Sequence, residues 1–129
     1  MQRKLKIIPL GGVEEIGFNC TVIEYGDQLI IVDVGLGFPL SDQYGIDYVI
    51  PNISYLKKKK DQIEGVIITH AHLDHIGGLP FVIKDLGFPE VFASKFSIEL
   101  IKNKLKEHNL DSKTSIRGIN RDSKLVSGD

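Results

Sequence analysis

A run of β-branched residues, Gly65-Val66-Ile67-Ile68-Thr69, leads directly into His70-Ala71-His72-Leu73-Asp74-His75, which holds three of the four histidines of the chain. Apolar side chains then recur at Ile76, Leu79, Val82, Ile83 and Leu86, the spacing of one helix face, and the pattern stops at Gly87 with Pro89 just beyond. A buried strand that feeds a helix through a short polar loop commits the chain to an α/β arrangement. Such loops are accessible to solvent and held rigid from both sides. Packing or capping explains the loop poorly, since Asp74 as a helix cap accounts for one residue of the four. Imidazole nitrogens with one carboxylate suit zinc first, manganese and iron less well, and exclude calcium or magnesium as the main design. In an irregular loop His70 and His72 can converge on one ion while Asp74 and His75 turn toward a second. Two ions roughly 3.5–4 Å apart activate water and neutralise a phosphoryl or carbonyl oxygen, so hydrolysis is the expected reaction.

The rest of the chain supplies short elements around this loop. Lys6 to Leu10 reads as a strand, and Cys20–Tyr25 with Leu29–Val34 reads as a hairpin joined through Gly26-Asp27, a pair tolerant of positive φ. Asn52 is placed to cap a short helix through Ile53, Tyr55 and Leu56. Val91 to Ala93 reads as a further strand, and Ser97 to His108 as an amphipathic helix with Ile98, Ile101 and Leu105 on its apolar face. From Asp111 the pattern is weak and polar, ending on Leu125-Val126-Ser127-Gly128-Asp129, which reads as the start of a strand and turn.

Composition narrows the chemistry further. The single cysteine, Cys20, excludes an internal disulfide and any thiolate cluster, and its apolar neighbours assign it to core packing. No apolar run approaches the roughly 18 residues a membrane span needs, and the N-terminal segment before Gly11-Gly12 is too short for a secretion signal, so the cytoplasm is the default expectation. Charge sums to −1 but is uneven: residues 7 to 56 hold seven acidic and no basic side chains. The run Lys57-Lys58-Lys59-Lys60 could meet a polyanion, yet a solvated face near a helix end is the favoured reading of four lysines there. His108, near the end of a lysine-rich helix, is assigned to a helix-dipole contact and not to a metal.

The hexapeptide matches the His-x-His-x-Asp-His signature of the metallo-β-lactamase superfamily. Leu10-Gly11-Gly12-Val13-Glu14-Glu15-Ile16-Gly17 with Asn19, Asp33-Val34-Gly35-Leu36, Phe38-Pro39, Gly45-Ile46-Asp47 to Ile50-Pro51, and Lys102 to Leu110 carry the likeness further. On these residues the chain resembles the N-terminal part of the ribonuclease J family of β-CASP ribonucleases. Glu14 departs from the pattern, where the family usually has glycine.

The resemblance implies an αββα sandwich of which residues 1–129 are roughly the first half, the N-terminal part of a truncated metallo-β-lactamase domain. It implies a two-zinc RNA phosphodiesterase, with manganese as an alternative ion, having 5′-to-3′ exonuclease and endonuclease activity in RNA processing and decay. His70 and His72 are then ligands of the first ion, Asp74 and His75 of the second, and Asp33 orients the histidine loop without ligating. Turn formation before Gly35 is the competing role for Asp33. No catalytic residue is implied beyond the ligands. The partner implied is RNA, with no membrane, and the full-length form is expected to be a homo-oligomer. The remaining ligands and domains are expected beyond Asp129, which leaves a sheet with an unpaired edge and an incompletely covered face. For this chain alone the expectation is weak zinc binding and no RNA cleavage. The alternatives are a thioester or lactam hydrolase of the same fold, or a non-catalytic metal-binding fragment.

Overall fold

The computed structural model describes residues 2–38, 44–46 and 48–127. Six strands lie side by side in chain order in one mixed sheet: β1 (Leu5–Gly11), β2 (Cys20–Tyr25), β3 (Gln28–Val32), β4 (Ile63–Ile67), β5 (Val91–Ser94) and β6 (Ile116–Ile119). β1, β2 and β3 run antiparallel, with Gly26 at φ +63 in the tight turn of the β2–β3 hairpin. β3 to β6 run parallel and are joined by helical crossovers: α1 (Ser54–Lys58), α2 (Leu73–Ile76), α3 (Leu79–Val82) and α4 (Lys95–Lys106). The mixed α/β class expected from the strand–loop–helix pattern is therefore the class observed.

Alternation along the strands decides what is buried. Cys20 and Val22, Leu29 and Ile31, Val66, and Val91 and Ala93 point to one face, where they pack on Leu56, Ile76, Leu79, Val82, Ile83, Leu86, Ile101 and Leu105 of the helical segments. The opposite face carries Ile23, Ile30, Val32, Ile67 and Phe92, only half-buried, and reaches the edge strand with Leu5 and Ile7 about two-thirds exposed at 65% and 67%. The segment Lys124–Ser127 lies across part of this face, closing a cleft with Ile30, Ile67, Phe92 and Arg117.

Several local expectations are corrected. The helix expected from Ile76 to Leu86 is two short pieces, α2 and α3, on either side of Gly77-Gly78. Both glycines keep right-handed helical dihedrals, but the Gly78 amide bonds to the Val34 carbonyl, and the Asp74 carbonyl accepts from Asn19. A neighbouring loop has taken over the helix's own ladder bond. Asn52 does not cap α1: its Oδ1 accepts from the Ser54 amide and hydroxyl in an Asx turn, and Ile53 occupies the cap position without a side-chain bond. β4 begins and ends two residues earlier than the apolar run suggests. α4 starts at Lys95 because Ser94 caps it through the Ser97 amide. In the weakly patterned tail, Ile116–Ile119 forms β6, whereas Leu125 to Ser127 are not in a strand. Pro39, Asp47, Gly128 and Asp129 lie outside the described residues.

Candidate metal centre

The parallel strands β3 and β4 finish side by side, with the Asp33 amide donating to the Ile67 carbonyl as the last rung of their ladder. Asp33 then turns the chain sharply at φ +63, a left-handed conformation that aspartate tolerates better than most side chains. The turn buries its carboxylate beneath the loop that follows β4. Oδ1 accepts from the Thr69 amide at 2.8 Å, and Oδ2 accepts from the Thr69 hydroxyl at 2.7 Å and meets His75 Nδ1 at 2.7 Å. The same residue thus turns the chain and bonds to both Thr69 and His75.

The residues after Asp33 dock on α2. The amides of Val34 and Leu36 donate to the carbonyls of His75 and Leu73, and the Gly35 amide donates to the Asn19 carbonyl. Gly35 permits this approach, because a Cβ there would collide with the Asp74 carbonyl. The Asn19 side chain donates to the Asp74 carbonyl at 2.9 Å and to Asp74 Oδ2 at 3.2 Å, and stands 3.4 Å from His75 Nε2. α2 is therefore held by β2 and the β3 loop, and not by its own four residues.

Above this frame His70, His72, Asp74 and His75 come together. The His70 ring lies 3.9 Å, centroid to centroid, from His75 and 4.7 Å, edge-on, from His72. A carboxylate only accepts, so the proton between Asp33 and His75 sits on Nδ1, and His75 Nε2 is presented bare. That nitrogen is 3.4 Å from Asp74 Oδ2. Donors about 2.1 Å from a tetrahedral ion are separated by roughly 3.4 Å along an edge of the tetrahedron, so this pair fits a shared zinc-like ion. Among the described residues no group of three His, Cys, Asp or Glu donors surrounds a common point, so the loop sets Asp74 and His75 at ligand spacing but does not form a closed shell. His108 packs edge-on against Phe81 at 4.9 Å, at the C-terminal end of α4.

Two participants are not evident from sequence reasoning about local pattern. Thr69 reads as the end of a strand, yet both its amide and its hydroxyl bond to Asp33. Asn19 enters the sequence reading only as part of the resemblance, without a role, and its bond to Asp74 spans 55 residues, for which no local signal exists. Cys20, next to it, is buried, and burial together with the charge of Asp33 pushes its thiol up to about 12, which makes it an inert core residue.

This arrangement defines a class. Residues 17–112 match the family model described as "Metallo-beta-lactamase superfamily", and the chain belongs to that superfamily, a class built around metal ions. Within it, the chain is 44% identical over 120 residues to Ribonuclease J 1 of Streptococcus pyogenes, covering 93% of this chain and 21% of the relative. It is 37% identical over 115 residues to Ribonuclease J of Synechocystis, covering 89% of this chain and 18% of the relative. The chain thus spans about a fifth of the length of these curated relatives. Among solved structures, an N-acyl homoserine lactone hydrolase superposes with a TM-score of 0.55 at 18% identity, covering 99% of this chain and 64% of the other, a likeness of fold alone. No helix among the described residues is long and apolar enough to cross a membrane.

Proposed function

We propose that this chain forms part of a metal-dependent RNA phosphodiester hydrolase of the ribonuclease J kind, in which His70 and His72 hold one ion and Asp74 and His75 a second. The observation that carries the reading is the Asp33–His75 bond, which leaves His75 Nε2 bare beside Asp74 Oδ2. RNA as substrate is supported by the ribonuclease relatives, and zinc, with manganese second, by the imidazole-rich donor set. When bound, a pair of ions neutralises charge on the phosphoryl oxygens and activates water. The chain's own contribution is orientation: Asp33 fixes the tautomer and direction of His75, Thr69 anchors the strand end to Asp33, and Asn19 holds Asp74. The residues 1–129 belong, on this reading, to one metallo-β-lactamase domain that works in the cytoplasm within a longer chain, which completes the metal shells and supports a homo-oligomer.

The test is hydrolysis by the chain extended to the length of its ribonuclease relatives. Labelled RNA is expected to be cut only after zinc or manganese is restored to chelated enzyme, with activity abolished by Asp74→Ala. Cleavage confined to thioesters or lactams overturns the RNA assignment. For the 129 residues alone, calorimetry is expected to show weak zinc binding and no RNA cleavage, and two tight sites would contradict the incomplete shells.

A further inference from the structure

The lysine run that begins in the last turn of α1 reads differently once the sheet has assembled. Glu24, near the end of β2, is buried at 4% exposure and is paired with Lys6 in β1 and Leu29 in β3. Its Oε1 is 2.8 Å from Lys59 Nζ and 3.9 Å from Lys6 Nζ, and its Oε2 accepts from the Tyr55 hydroxyl. One carboxylate therefore draws together two basic segments more than fifty residues apart in the chain. Lys4, just before β1, lines one shallow depression with Lys6 and Glu24, and Arg3 lies against Gly26 in the β2–β3 turn. Lys58 and Lys60 flank Lys59 directly.

Charge in this group is only partly compensated. Glu24 answers Lys6 and Lys59, and Asp85 lies 3.4 Å from Lys57. Arg3, Lys4, Lys58 and Lys60 make no ion pair among the described residues, and Lys4, Lys58 and Lys60 are exposed. Asp27 and Asp61 neighbour these groups in the chain, so seven cations stand against the four carboxylates of Glu24, Asp27, Asp61 and Asp85, which leaves a positive excess at this end of a chain of net charge −1. The histidine loop is at the other end, since β3 runs from Gln28 to Val32 and passes Leu29, opposite Glu24, about 10 Å of strand before it ends beside Asp33.

We propose that Arg3, Lys4, Lys6 and Lys57 to Lys60 form a second, metal-independent site that binds the phosphate backbone of single-stranded RNA, at the end of the sheet opposite the histidine loop. The choice of RNA rests on the nuclease reading above; the site itself rests on the joined basic segments. Flexible exposed lysines act as point charges on phosphates, so the site reads backbone and not base sequence. It holds RNA away from the reacting bond.

The test uses anisotropy of a labelled 20-nucleotide uridine RNA with the 129-residue chain in EDTA at low salt. Binding is expected, weakened about tenfold by Lys4→Gln/Lys58→Gln/Lys60→Gln and less than twofold by Lys95→Gln/Lys102→Gln/Lys106→Gln, which removes equal charge from α4. The slope of log affinity against log salt is expected to fall by about 2 in the first variant, three contacts at roughly 0.7 each. Lys4→Arg/Lys58→Arg/Lys60→Arg is expected to bind as the parent does, which separates lost charge from lost fold. Equal weakening by both glutamine variants, or no binding in EDTA, overturns the site. A polyglutamate peptide that binds as tightly as the RNA overturns the assignment to nucleic acid. Because no metal is present, failure here leaves the hydrolase reading standing, and failure of hydrolysis leaves this binding result standing.

Discussion

At the residue scale, Asp33 combines a backbone and a side-chain task, and the two can be separated by one substitution. An asparagine at this position would still tolerate the left-handed turn at φ +63 and still accept from the Thr69 amide. Its amide group, however, donates where Oδ2 accepts, so His75 Nδ1 is driven to give up its proton and Nε2 becomes N–H. Asp33→Asn is therefore expected to weaken zinc binding about 10- to 100-fold in calorimetry while leaving the urea midpoint nearly unchanged. An unchanged affinity would show that the Asp33–His75 bond serves packing only. Glu14 admits a second test. It is exposed at φ +57, a left-handed conformation that glycine adopts without strain and glutamate does not, and nothing in the structure explains the glutamate there. Relief of left-handed strain outweighs the added unfolded-chain entropy, so Glu14→Gly is expected to stabilise the fold by about 0.5–1 kcal/mol in urea denaturation.

At the element scale, the site depends on contacts between segments that are each too short to stand alone. α2 is four residues long, and its carbonyls serve the loop after β3 and Asn19. Gly35→Ala places a methyl group against the Asp74 carbonyl, so the loop must lift from α2. The expected cost is about 1–3 kcal/mol in urea denaturation, with metal binding lost in the same variant. If Gly35→Ala leaves both unchanged, the docking of the loop on α2 does not hold the site. At the other end, α1 is tied to β2 through Glu24, Tyr55 and Lys59. Hydrogen bonds from Lys59 and Tyr55 lower the Glu24 carboxyl from its ordinary value, and the same contacts raise Lys59. Lys59→Met leaves Glu24 buried without its principal partner and is expected to cost about 1–3 kcal/mol, read from the thermal midpoint. The β2–β3 hairpin and α4 were legible in sequence because turn residues and apolar spacing are local. The broken helix over 73–82 was not, because the bond that interrupts it comes from Val34.

At the scale of the whole molecule, the sheet separates the end that carries the histidine loop from a basic end, and stability is limited on both sides of neutral pH. Glu24 is depressed, so its contribution is present above its unfolded value near 4.5 and lost as pH falls through the folded value. Cys20 is raised from 9.0 to about 12, so the fold is unaffected below about pH 9 and loses stability as pH climbs from there toward 12. Thermal midpoints are therefore expected to form a plateau between these limits, with Cys20→Ala removing the alkaline decline between pH 9 and the Lys59 range; an identical decline in that variant would remove Cys20 from the account. The outward sheet face leaves Leu5 and Ile7 largely exposed on the edge strand β1. By itself the sequence determined the α/β class, the hairpin and the run of strand into histidine-rich loop into helix, because periodicity is written in neighbouring positions. Tertiary structure alone decided that Asp33 and Asn19 reach the loop across 42 and 55 residues, that Ile116–Ile119 becomes a strand by pairing with β5, and that two distant basic segments share Glu24. Those contacts join separate parts of the chain, and no local pattern encodes which part will arrive.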